Sequence, residues 1–140
     1  MNRLVLDASV ALKMIFLKEK DSALAVALQE EFRNQVRQLI APDILPAEMG
    51  HALMRAERKG LIQKGQGKVL FEDFIVPCPQ LFPYGELFDR AMEIASDFRI
   101  GFYDALYVTL AEQEGCDLVT SDEKLQNSLP GFPIVSLSSI

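Results

Sequence analysis

This 140-residue chain has no apolar run near the roughly 18 residues that a membrane-crossing helix needs. It has two cysteines, Cys78 and Cys116, too few for a disulfide scaffold and not spaced as a CxxC pair. They are expected as reduced thiols in or near the core. It lacks a basic excess: 14 Lys+Arg stand against 20 Asp+Glu, for a net charge of -6. With a pI of about 4.8, a strongly basic nucleic-acid binder is excluded as a description of the whole molecule. No repeat, linker or low-complexity segment interrupts it. Gly65-x-Gly67 lacks a third glycine and follows no strand, so it is not a dinucleotide-binding loop. The first apolar run, Leu4-Val5-Leu6, is stopped by Asp7, too early for a secretory leader. The expectation is one cytoplasmic domain over 1–140, long enough to bury a core without disulfides or a structural metal. Apolar residues at 49% and charged residues at 24% fit that class.

What is present alternates. Leu4-Val5-Leu6, Gln38 to Ala41, Gln80 to Phe82, Asp117 to Thr120 and Ile134 to Leu137 read as five short strands. Between them run helical patterns: Asp7 to about Leu17, Asp21 to Phe32, Asp43 to Arg58, Gln63 to Val76, Glu86 to Phe98 and Phe102 to Glu114. Gly65 and Gly67 weaken the fourth of these. The last is apolar around most of its circumference, as a central buried helix is. Short apolar strands separated by helices predict an α/β three-layer sandwich. Its central sheet should be mostly parallel, about five-stranded, with helices on both faces. Ligands in such folds bind beyond the carboxyl ends of the strands.

Acids stand at those ends. Asp7 follows the first strand, Asp43 and Glu48 the second, and Asp122 the fourth. Asp104 lies in the first turn of the buried helix, where the helix dipole alone is worth about 0.3–1 kcal/mol. Twenty acids in 140 residues make coincidence cheap, so placement carries the weight. Asp7 and Asp104 have apolar neighbours and no adjacent Lys or Arg, and a buried, unpartnered carboxylate is costly. Converging carboxylates raise one another's pKa, and hard divalent cations relieve the repulsion. Four acids suit one or two Mg²⁺ or Mn²⁺ ions, and two such ions suit in-line attack on a phosphodiester.

The motifs Leu6-Asp7-Ala8-Ser9-Val10-Ala11-Leu12-Lys13, Ala41-Pro42-Asp43-Ile44-Leu45-Pro46-Ala47-Glu48, Tyr103-Asp104-Ala105-Leu106-Tyr107 and Leu118-Val119-Thr120-Ser121-Asp122-Glu123-Lys124-Leu125 stand in one order. In that order they resemble the PIN-domain ribonucleases, and within them the VapC-type toxins of toxin–antitoxin pairs. The likeness covers nearly the whole chain. It implies a metal-dependent endoribonuclease with Asp7, Glu48 and Asp104 as principal acids and Asp122 as the fourth. It also implies Ser9 and Thr120 as polar neighbours of the metal, an RNA substrate, a homodimer, and a small antitoxin that covers the groove. Met14 departs from an aromatic commonly found there, and Pro46 sits two residues before Glu48; both read as packing or helix-start adjustments.

Several other residues are ambiguous. His51, three residues after Glu48, shares its helix face, but Glu-x-x-His without partners is a weak metal motif. Arg55, Arg58 and Lys59 form a basic run that is either a solvated face or a phosphate-steering edge, and Lys13 and Lys124 are further phosphate candidates. Phe71, Phe74, Phe82 and Phe88 read as core or dimer contacts. An aspartyl-phosphate phosphatase would need an acid where Ser9 stands. A receiver domain would need an acid ending the third strand and a Lys after the fifth; Phe82-Pro83 and Leu137 stand there instead. The remaining alternative is a catalytically silent PIN-like module that binds RNA or protein.

Overall fold

The computed structural model describes residues 2–140. Strand β1 (Asn2–Leu6) is the central ribbon. It continues into α1 (Ala8–Lys13), α2 (Ser22–Arg33) and β2 (Arg37–Pro42), then α3 (Leu45–Arg58), α4 (Gln66–Phe74) and β3 (Gln80–Phe82). The second half runs through α5 (Phe88–Phe98), α6 (Phe102–Glu114), β4 (Asp117–Thr120), α7 (Glu123–Ser128) and β5 (Ile134–Ser136). Short 3₁₀ turns precede α5 and follow β5.

The sheet order is β3-β2-β1-β4-β5, and every pairing is parallel. Parallel neighbours need crossovers, and right-handed crossovers put the helices linking β1, β2 and β3 on one face. Those linking β3, β4 and β5 take the other. The chain reverses direction across the sheet at β1, so the gap between the β1 and β4 carboxyl ends is the switch point where such folds open a crevice. Leu6 pairs with Val119, which sets Asp7 and Thr120 side by side one step further on.

Helix α6 packs against β1, β2 and β4. Its residues Ala105 to Ala111 are all buried, as the all-round apolar pattern predicts. Complete burial of Leu106 and Leu110 is worth about 1.5–3 kcal/mol each. Gly115, at φ 64, closes the helix in the left-handed conformation that favours glycine.

Some expectations change. The first helix ends at Lys13 rather than near Leu17, because three-residue turns tighten the chain after Met14. The Gln63–Val76 pattern yields helix only over Gln66–Phe74. Gly67 is needed there: a Cβ would lie 2.9 Å from Glu57 Oε2, and its N–H donates to that oxygen at 3.0 Å. The glycine lets α4 dock on α3. Helix α7 had no distinctive periodicity; Asp122 creates it by accepting the Leu125 N–H at 3.2 Å. Cys78 is exposed rather than near the core, since the loop between Pro77 and Pro79 carries it outward; Cys116 is half-buried, and both thiols are free. Phe74 is buried and Phe71 and Phe82 pack on the core, while Phe88 is 42% exposed beside Phe102, with ring centroids 5.1 Å apart.

Candidate active site

Asp7 leaves β1 in an extended conformation and caps α1. Its Oδ1 accepts the Val10 N–H at 3.0 Å and the Ser9 hydroxyl at 2.6 Å. It is 7% exposed, and burial pushes its carboxyl above the usual aspartate range. The hydroxyls of Ser9 and Thr120 and the Val10 N–H oppose that shift, and the charge of Asp104 adds to it. Ser9 Oγ also accepts the Ser121 N–H at 3.3 Å, tying the β1 and β4 ends together across the switch point.

Glu48 stands in the first turn of α3, half-buried. Its Oε1 accepts the Tyr107 hydroxyl at 2.7 Å. Burial raises its pKa, the Tyr107 hydrogen bond opposes this, and the charges of Asp104 and Asp7 raise it further. Asp104 is solvent-exposed at the start of α6; its inner side is desolvated, which raises its pKa, and Asp122 raises it again. Asp122 is exposed, and its N–H donates to Thr120 Oγ1 at 3.1 Å. Burial and the neighbouring carboxylate push the Tyr107 phenol far up, so it remains a hydrogen donor to Glu48.

The four acids are thus electrostatic neighbours at one end of the sheet. None forms an ion pair with Lys, Arg or His among the described residues. Nor do three or more His, Cys, Asp or Glu side chains there close into a preformed metal cage. This donor set suits a hard ion that keeps several waters and takes one or two carboxylates. It does not suit a metal that demands a closed, all-protein shell.

The remaining candidates sort by place. Asp43, also at a strand end, turns away and accepts the Tyr84 N–H at 3.0 Å. His51 is exposed and lines a separate opening with Glu48 and Tyr103. Lys13 donates to the Lys20 carbonyl at 2.9 Å and pairs with Glu19 at 3.6 Å. Arg55 and Lys59 line a cleft that reaches Ser9 and Ser121, whereas Arg58 and Lys124 are exposed outside it. Tyr107 escaped the sequence reading because it sits inside the apolar helix. Its position three residues after Asp104, on the same helix face, was the available signal.

Tyr107 is therefore a positioning residue for Glu48. Tyr107→Phe should raise the Glu48 pKa further and move the acid limb of the pH–rate profile to higher pH. It should also raise the Mg²⁺ concentration for half-maximal activity, by about 10–100-fold if Glu48 is a ligand. A purely structural role would shift neither.

Residues 4–128 match the family described as the PIN domain. Ribonuclease VapC1 from Mycobacterium tuberculosis is 30% identical over 135 residues, covering 95% of both chains. Ribonuclease VapC3 from Pyrobaculum aerophilum is 28% identical over 132 residues, covering 93% of this chain and 97% of that protein. In structure, the chain resembles VapBC2 from Rickettsia felis bound to a promoter DNA fragment. The TM-score is 0.69 at 16% identity, covering 96% of this chain and 98% of that one.

Proposed function

Because the chain belongs to the PIN domain family, we propose that it is a metal-dependent endoribonuclease, the toxin half of a toxin–antitoxin pair. The observation that carries this is the set of four neighbouring carboxylates, three with raised pKa values in which burial and the charge of another site acid take part, and none with a cationic partner. The full-length likeness to proteins named VapC ribonucleases supports the reaction, and the VapBC structure supports a small antitoxin partner. The reading carries with it a homodimer in the cytoplasm; no helix among the described residues is long and apolar enough to cross a membrane.

Asp7, Glu48 and Asp104 would hold Mg²⁺ or Mn²⁺, as one or two ions, with Asp122 as the fourth acid. When bound, the divalent ion supplies positive charge toward the phosphodiester and acidifies an attacking water. The chain's own part is positional. Ser9 and the Val10 N–H fix one oxygen of Asp7, and Tyr107 fixes one of Glu48. Thr120 joins the Asp122 backbone to the Asp7 carboxyl. Each acid is oriented by groups outside the reaction, which removes the entropy of aligning it at every turnover.

Purified protein should cut single-stranded RNA internally when Mg²⁺ is present and stop on addition of EDTA. RNA binding without cleavage in Mg²⁺ or Mn²⁺ would instead identify a silent binding module.

A further inference from the structure

The cleft beside the acids has the opposite charge. It encloses about 400 Å³ between α1 with its following loop, the second half of α3, and Ser121. It meets the acid pocket at Ser9, whose hydroxyl touches both Asp7 and the Ser121 N–H. Three cations line it, Lys13, Arg55 and Lys59, against one carboxylate, Glu19. Glu19 already pairs with Lys13. Arg55 and Lys59 are exposed, one helical turn apart on α3, and form no ion pair among the described residues. Uncommitted cations therefore stand next to uncommitted acids, with the two sets unpaired. A polyanion that delivers one phosphate to a metal at the acids has a place for its next phosphate here. The rest of the lining is apolar, with Leu12, half-buried Phe16 and Leu61, the last 71% exposed. An apolar lining with a cationic edge matches an unstacked base and its phosphate.

We infer that this cleft holds the nucleotide next to the scissile phosphate of single-stranded RNA. Its phosphate lies on Arg55 and Lys59, and its base lies against Phe16 and Leu12. The inference rests on the ribonuclease reading and deepens it by naming the strandedness and the cations that read the backbone. A duplex keeps its bases stacked and cannot use the apolar lining. Arg58 and Lys124 lie outside the cleft and have no part in it.

The test compares wild type, the Arg55→Ala/Lys59→Ala double variant and Lys68→Ala, which removes a distant cation on α4. Cleavage of a short single-stranded RNA gives kcat and KM, and binding of the same RNA across a KCl series is measured in an Asp104→Asn background. The double variant should raise KM about tenfold and keep kcat within about twofold. Its plot of log affinity against log salt should be shallower by about 1.4, for two lost phosphate contacts at about 0.7 each. Lys68→Ala should change neither. Unchanged KM and salt slope, while wild type still cleaves with Mg²⁺, would overturn the cleft's role and leave the acids' role standing, as a protein partner in the cleft would. Equal binding of duplex and single strand would overturn the base contact. Absence of cleavage by wild type would remove the ribonuclease reading and this inference together.

Discussion

Asp104→Asn should lose RNA cleavage by at least about a hundredfold, since removing a mere supporting partner of a metal ligand already costs about 10–100-fold. The loss should appear without unfolding. Asp104 is exposed, caps nothing, and makes no hydrogen bond among the described residues that holds α6 in place. Its one structural contribution is the dipole interaction in the first turn, worth about 0.3–1 kcal/mol. Asn keeps the shape and removes the charge. Circular dichroism and the melting temperature should therefore match wild type while the rate of RNA cutting collapses. A folded Asp104→Asn protein with full activity would show that the carboxylates are not the reacting centre.

Asp7→Asn should abolish cleavage as well, and it should make the metal-free protein more stable at neutral pH. Burial raises the folded-state pKa of Asp7 above its unfolded value. The folded protein thus holds this proton more tightly than the unfolded chain does. Below the unfolded pKa both states are protonated and no penalty arises. As pH rises from the unfolded pKa through the folded one, stability falls, and above the folded pKa the whole penalty is present. Glu48 and Asp104 are raised in the same direction and act with the same sign. Asn at position 7 still accepts the Val10 N–H and the Ser9 hydroxyl through its carbonyl oxygen, so the cap on α1 survives. The charge penalty disappears. A net gain on the order of 1 kcal/mol corresponds to roughly 3–5 °C in Tm for a chain of this size.

Three melting series test this. Without metal, wild type should lose Tm between mildly acidic and neutral pH, and Asp7→Asn should lose less. Added Mg²⁺ should raise the wild-type Tm by mass action on the folded state, and should raise that of the variant less. A wild-type Tm indifferent both to pH in that window and to Mg²⁺ would mean that the charge is not concentrated at this end of the sheet.

The acidity of the whole chain takes on a local meaning here. Four of its acids account for most of the net -6 if they share one divalent centre. Beside them the Arg55/Lys59 edge is cationic, so an acidic pI and an RNA substrate are compatible at this site. Long-range attraction is given up, and metal and rim cations act at short range instead, where screening is weakest.

Much of this was readable along the chain, because the relevant signals are local. Strand β3, helix α6 and strand β4 have the bounds their apolar patterns predict, since a run of Val, Leu and Ile, or an all-round apolar helix closed by Gly115, is complete within its own segment. The α/β class follows from the alternation of such segments. That Asp7 and Asp122 end adjacent strands also follows, because strand ends in a parallel sheet lie on one edge. What lay beyond the sequence were relations between distant segments. Only the packed structure hands Asp43 to Tyr84 and Glu48 to Tyr107. Only it separates Arg55 and Lys59, which line the cleft, from Arg58 on the same helix. Periodicity fixes which face of a helix is apolar, because that depends on 3.6 residues per turn. Which polar group meets which depends on the crossing of elements tens of residues apart, and on burial that exists only once they have packed.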